Sequence, residues 1–220
     1  MNIKIGKFDK KSSMDKTHKQ YSLACERNKL AILNILKIHF GENCKILEIA
    51  GGTGQHADFF TSQMPGWFWQ SSETDQGSLF SIESFYQEAQ RKNFLTPIKL
   101  STLDKKWNIG LFEGAFCCNM FHISSWQSCV GLFCHLGKHL LEKSKLLIYG
   151  PFIQDNIPTA ESNLAFHESL RRKNPLWGIR NLKDVLAVAV KYGFHKDHIH
   201  NMPANNLILV LEKNLSLSIK

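Results

Sequence analysis

The chemistry in this chain is concentrated in one short stretch, Glu48-Ile49-Ala50-Gly51-Gly52-Thr53-Gly54-Gln55-His56-Ala57. Glu48 stands in an apolar run with Ile46, Leu47 and Ile49, the kind of segment a buried parallel strand uses. A carboxylate in such a strand is costly without a partner. Placed just before a glycine turn, it predicts a ligand with positive charge. Gly51, Gly52 and Gly54 permit positive φ and, having no Cβ, let a ligand lie against the backbone. Ala50 keeps the turn small, and His56 falls in the first turn of the helix-compatible segment beyond it.

Two cofactors suit such a loop. Gly52-x-Gly54-x-x-Ala57 fits the loose dinucleotide fingerprint, and Glu73 lies near the spacing of its ribose-binding acid. That reading makes the protein an NAD(P)-dependent oxidoreductase. A dinucleotide must, however, set its pyrophosphate at the helix N-terminus, beside the like charge of Glu48. S-adenosylmethionine has no phosphate and carries a sulfonium and an ammonium, for which a carboxylate is a favourable neighbour. The order acid, glycine loop, helix, second acid resembles the class I S-adenosylmethionine-dependent methyltransferases, with Ala50 where their motif has its first glycine. S-adenosylmethionine is the better reading.

These residues need a scaffold. Leu23–His39 reads as a helix stopped by Gly41, and a strand over Cys44–Ile49 feeds the glycine loop and a short helix, Gln55–Gln63. Trp67–Ser71 is a second strand followed by Glu73, and Ser78 is a cap for a helix reaching about Lys92. Pro97–Leu100 is a short third strand with Asp104 just beyond. A fourth strand, Phe112–Cys118, runs into Asn119 and His122. Ser124 or Ser125 caps a helix through Leu141, and Ser144–Tyr149 is a fifth strand. Ile153–Asn163 reads as irregular, before a helix over Ala165–Arg172. Asn181 caps a further helix, ahead of a closing strand pair, His198–Met202 and Asn206–Leu211, joined too tightly to be parallel. The alternation predicts an α/β fold: a single-domain Rossmann-like, mostly parallel seven-stranded sheet, with an antiparallel C-terminal strand and helices on both faces. Its ligands gather outside the carboxyl ends of the strands. The expected organisation is a loose basic arm over residues 1–20, the domain over 21–214 and a tail over 215–220.

Composition narrows the class further. No apolar run is long enough for a membrane span, and Met1–Gln20 lacks the apolar core of a secretory signal. Six cysteines without a C-x-x-C pair suit a reducing, cytoplasmic setting, where buried thiols behave as small hydrophobes. The formal charge of +8 comes from scattered lysines without a basic, aromatic-interleaved motif, so nucleic acid is not the expected partner. His135 and His139, and later His195, His198 and His200, lack acid or cysteine partners at ligand spacing. They read as solvated histidines, and no metal is expected.

Seven short motifs follow one another along the chain: Ser22-x-Ala24-x-Glu26-Arg27-Asn28-Lys29, Leu47-Glu48-Ile49-Ala50-x-Gly52-Thr53-Gly54-Gln55-His56-Ala57, Asn119-Met120-Phe121-His122-Ile123, Tyr149-Gly150-Pro151-Phe152, Ser162-Asn163, Trp177-Gly178-Ile179-Arg180 and Met202-Pro203-Ala204-Asn205-Asn206. Over roughly residues 20–213 the set resembles the family known as domain of unknown function 938, which includes methyltransferase-like protein 26. The resemblance implies a class I methyltransferase fold with S-adenosylmethionine as cofactor, and supplies no substrate. It implies that Glu73 binds the ribose and Asp104 the adenine side. The chain departs from the family at Gly51, where serine is usual, at Ser71-Ser72-Glu73 in place of Pro-Ser-Asp, and at Phe166-His167 in place of Phe-Asp.

The cofactor site is thus expected across Arg27, Glu48, Ala50, Gly51, Gly52, Gly54, His56, Glu73, Asp104 and Asn119, with Arg27 and Asn28 closing it from the N-terminal side. His122 and Tyr149 are the candidate catalytic residues, needed as a base only if the acceptor must lose a proton. Asn163, Asn205 and Asn206 offer carboxamides to a polar acceptor, which in so small a chain is expected to be a small molecule. The rival from another class is a non-catalytic protein that binds the cofactor for regulation or assembly.

Overall fold

A computed structural model of the protein describes residues 18–214. Along the chain these form α1 (Leu23–Phe40), β1 (Cys44–Ile49), α2 (Gln55–Gln63), β2 (Trp67–Glu73), α3 (Gln76–Ala89), β3 (Ile98–Lys99) and β4 (Phe112–Cys118). A 3-10 turn at Met120–His122 leads to α4 (Trp126–His139), β5 (Leu140–Gly150), β6 (Phe152–Ile153) and α5 (Glu161–Lys173). The chain closes with β7 (Arg180–Asn181), α6 (Leu182–Lys191), β8 (Phe194–Met202) and β9 (Asn206–Lys213). Seven strands make one sheet in the order β3-β2-β1-β4-β5-β9-β8, in which β9 alone runs against its neighbours.

The apolar run of β1 is buried on both faces, as a central parallel strand requires. On one face Ile32, Leu36, Phe60, Trp67, Trp69 and Ile82 pack under α1, α2 and α3. On the other, Phe121, Leu132, Phe133, Leu136, Val185 and Phe194 pack under α4 and α6. Strand order reverses between β1 and β4, which opens a crevice at their carboxyl ends. The β8–β9 turn lies on the same rim, because Leu207 of β9 pairs with Gly150 at the end of β5.

Several local expectations are corrected. Asp75, not Ser78, caps α3, its carboxylate accepting from the Ser78 amide at 2.8 Å, and Glu73 is the last residue of β2 rather than a residue beyond it. Ser125 is the cap of α4. β5 begins at Leu140, four residues early, because Leu140 already pairs with Phe112. β8 begins at Phe194 for a similar reason, pairing with Lys213. α5 starts inside the segment read as irregular, where Ala160 gives no side-chain cap to mark it. A second, two-stranded sheet pairs β6 with β7.

Lys19 already pairs with Glu88, and the Gln20 amide donates to Ser81 Oγ, so the chain is docked before residue 21. Of the arm expected over residues 1–20, residues 1–17 lie outside the described residues, as does the expected tail over 215–220. Among the described residues no helix is long and apolar enough to cross a membrane.

Candidate functional site

Glu48 leaves the centre of the sheet pointing under the glycine loop and is 1% exposed. Its Oε2 accepts from Trp69 Nε1 at 2.9 Å and from Ser71 Oγ at 2.5 Å. Its Oε1 is buried without a protein partner. Burial raises its pKa against the two hydrogen bonds, and nearby Glu73 pushes the same way. A buried acid with one unmatched oxygen is a place for a donor or a cation from outside the chain.

The loop around it is shaped residue by residue. Ala50 sits at φ 57, a left-handed conformation costing an L-residue about 1–2 kcal/mol. A side chain at Gly51 would press on Glu48 Oε2 at 3.0 Å. Gly52, at φ +59, faces open space: a Cβ there meets nothing within 4 Å. Gly54, at φ +90, is different, because a Cβ would lie 2.9 Å from Ile82 Cα. Gly54 serves the approach of α3, whereas Gly52 borders a space a ligand can fill.

Glu73 completes the rim of this space. Its Oε2 accepts from the Gly52 amide at 2.9 Å and its Oε1 from the Thr74 amide at 2.7 Å. The loop amide a pyrophosphate would need is therefore already engaged by a carboxylate, which disfavours the dinucleotide reading.

From the N-terminal side the start of α1 is fastened across the loop. The Ser22 amide and the Thr53 hydroxyl both donate to Gln55 Oε1, and Gln55 Nε2 donates to Glu26 Oε1 at 2.8 Å. Arg27 is exposed at this edge. Asn28 turns inward, where its Oδ1 accepts from His56 Nε2 at 2.8 Å and its side chain also bonds the Tyr149 hydroxyl. His56 is stacked on Phe60 at 5.3 Å, and burial lowers its pKa to about 4, so it is a neutral core imidazole. Burial raises the Tyr149 hydroxyl, which stays protonated at neutral pH, on the sheet face covered by α1.

Beyond β4, Asn119 adopts φ 63 and its amide donates to Tyr149 O, aligning it with the end of β5. His122 follows in the 3-10 turn, 5% exposed, with its Nδ1 3.5 Å from where a Gly150 Cβ would stand. Burial, with a smaller contribution from Arg180, lowers its pKa to about 4 and keeps the ring neutral. Asp104 is exposed after β3, its carboxylate accepting from the Ser101 amide at 3.0 Å.

The structure does not gather all the expected acceptor residues in one place. Asn163, Asn205 and Asn206 share a cavity of about 350 Å³ beyond the end of β5, whose walls include neither His122 nor Tyr149. Asn163 Nδ2 donates to Asn205 O at 3.1 Å, joining α5 to the β8–β9 turn.

Sequence reasoning gave Arg180 no role. Its Nε donates to Phe121 O at 2.9 Å and its Nη2 to Ser124 O at 2.5 Å and Leu176 O at 2.7 Å. The Gly178 amide donates to His122 O at 3.0 Å. This segment clamps the loop that carries His122. Only its appearance as a motif, Trp177-Gly178-Ile179-Arg180, signalled it.

Of the histidines expected to be solvated, His198 is exposed, but His135 and His200 have protein partners. His135 stacks on Trp107 at 4.4 Å and donates to Asp104 O, while His39 and His200 share a hydrogen bond of 2.8 Å. Among the described residues no group of three His, Cys, Asp or Glu side chains could hold a metal ion. All six cysteines are free, with Cys44 raised to about 12, Cys129 to about 11, and Cys117 and Cys118 also raised, all chiefly by burial.

Several solved structures that share this architecture are methyltransferases. An O-methyltransferase family protein from Burkholderia thailandensis matches with TM-score 0.74 at 12% identity, covering 87% of this chain and 57% of that one. Human N-acetylserotonin methyltransferase in complex with S-adenosylmethionine matches with TM-score 0.69 at 12% identity, covering 87% and 53%. Mitomycin 7-O-methyltransferase matches with TM-score 0.70 at 13% identity, covering 85% and 54%. The chain thus has the Rossmann-like class I methyltransferase fold, and spans somewhat more than half the length of these proteins. By its sequence it belongs to the family described as protein of unknown function (DUF938), which it matches over residues 19–213.

Proposed function

We propose that this protein transfers a methyl group from S-adenosylmethionine to a small-molecule acceptor. The observation that carries the reading is the pair of carboxylates at the glycine loop: Glu48 against Gly51, with its unmatched buried oxygen, and Glu73 on the amide of the open Gly52. That donor set fits a cationic, phosphate-free cofactor, and a solved neighbour of the same fold is bound to S-adenosylmethionine. When bound, the cofactor supplies a methyl group already activated on a sulfonium.

The chain's own residues have simpler tasks. Glu48 offsets positive charge beneath the loop, and the backbone of Ala50, Gly51, Gly52 and Gly54 shapes the cofactor's bed. Glu73 Oε1 is taken up by the Thr74 and Asp75 amides and the Thr74 hydroxyl, so Oε2, which accepts from the Gly52 amide, is the oxygen with lone-pair capacity for a ribose hydroxyl. Asp104, in the loop after β3, and Asn119, just after β4, flank the β2–β1 ends for the adenine side and the methyl-bearing side. Arg27 closes the edge, while His56 and Asn28 hold α1 against the loop. His122, neutral at pH 7, accepts a proton from the acceptor, and Arg180 positions it. Tyr149, tied to Asn28, suits positioning rather than proton abstraction. The compartment that fits six unpaired thiols is the cytoplasm.

The test is incubation with methyl-labelled S-adenosylmethionine and a pooled small-molecule extract. Labelled small molecules should form, and His122→Gln should cut turnover on the order of 100-fold with unchanged cofactor affinity. Cofactor binding with no labelled product is what a non-catalytic binding protein would give.

A further inference from the structure

The cavity beyond β5 has a composition unlike the rest of the molecule. The protein carries 27 basic and 19 acidic side chains, yet no charged side chain and no histidine lines this space. Phe152, Met202 and Leu207 supply apolar walls, and Gln154, Asn163, Asn201 and Asn206 supply carboxamides. Two of those carboxamides have their orientation fixed by partners that can only accept. Asn163 Nδ2 donates to Asn205 O, and Asn206 Nδ2 donates to Pro203 O at 3.0 Å and to Ala204 O at 3.2 Å. Each therefore offers its Oδ1 as an acceptor, which calls for an N–H or O–H on the guest. A charged guest would lose its hydration with no counter-charge to replace it. At about 350 Å³ the space fits a compact molecule of one or two rings.

The cavity also lies where an acceptor is needed. β1, β4 and β5 are consecutive in the sheet, so the end of β5 is about two strand spacings, roughly 10 Å, from the glycine loop. His122 lies between, beside Gly150.

We infer that this cavity is the acceptor subsite and that it selects an uncharged ring compound bearing hydroxyl or amide donors. The inference rests on the methyltransferase reading above, but its test does not depend on turnover. With the full chain saturated by S-adenosylhomocysteine, ligand-observed NMR would compare 4-hydroxybenzamide with its anionic counterpart 4-hydroxybenzoate. The benzamide should bind at least tenfold more tightly. Ile157→Trp, on an exposed wall of the cavity, should abolish its binding without disturbing the core. Asn201→Lys, also exposed, should shift the preference toward the benzoate by tenfold or more. Equal or tighter binding of the benzoate by the unaltered protein overturns the inference, as does benzamide binding that Ile157→Trp leaves intact. Binding of S-adenosylhomocysteine with neither probe held also overturns it, while leaving the cofactor assignment standing. Failure to bind S-adenosylhomocysteine would instead strike the methyltransferase reading itself.

Discussion

At the β1–β2 end of the rim nearly every polar atom is committed, whereas at the β5–β9 end carboxamides wait on an uncharged cavity. Glu73 holds the Gly52 amide, Gln55 holds Ser22 and Glu26, and Asn28 joins His56 to Tyr149. The unmatched atom there is Glu48 Oε1, buried and raised in pKa. Around the cavity, by contrast, Asn201 and Asn205 are exposed, and the walls come from a loop, a helix start and a turn. A preorganised electrostatic site suits a ligand of fixed chemistry. A neutral recess built of loops suits a guest chosen by shape and hydrogen bonding.

The sharpest way to break this contrast lies within the glycine loop itself. Gly54→Ala should cost roughly 3 kcal/mol of stability, since its Cβ would meet Ile82 Cα at 2.9 Å in a left-handed backbone. Gly52→Val should cost only about 1–2 kcal/mol from its φ, because its Cβ meets nothing. Yet it should weaken S-adenosylhomocysteine on the order of 100-fold. Chemical denaturation and calorimetry on the two variants would separate the roles, and tight binding by Gly52→Val would defeat the placement.

Arg180→Ala tests whether the middle of the rim belongs with the rigid end. Loss of its three bonds to backbone carbonyls should cost about 2–3 kcal/mol and lower kcat while the cofactor Kd stays put. An unchanged kcat would make Arg180 purely structural.

A smaller effect concerns the committed acid. In the unfolded chain Glu48 ionises near its ordinary value, while burial raises its folded pKa. The folded state then holds the proton longer, so Glu48 makes stability fall as pH rises from about 4.5 through that raised value. Glu48→Gln should flatten this fall and stabilise the ligand-free protein at pH 8 on the order of 1 kcal/mol, while weakening the cofactor about tenfold. A gain in stability without loss of affinity would leave Glu48 outside the cofactor site.

Much of the rigid end was legible because its signals are local. Acid, glycines and apolar run sit within nine residues, Ile46 to Gly54, and α2 and β4 fall where the periodicity and turn residues put them. Ser78 and Asp75 are both good caps, and only the packing of α3 decides between them. The other end was less legible because it is assembled at long range. Ala160 is no capping residue, so the start of α5 gave no sign. Nothing near Arg180 in the chain reveals that its partners lie at Phe121 and Ser124. The carboxamides were identifiable as a set, but their separation from His122 depends on how α5 and the β8–β9 turn meet.

The proposed cofactor site, with Glu48 against Gly51 and Glu73 on Gly52, calls for a cationic, phosphate-free ligand. Calorimetric titration of the full chain with S-adenosylmethionine, and in parallel with NAD and NADP, tests it most directly. The expected result is one saturable site for S-adenosylmethionine, lost in Gly52→Val, and no heat from either dinucleotide. Saturable dinucleotide binding, or no binding of S-adenosylmethionine by the folded protein, would contradict it.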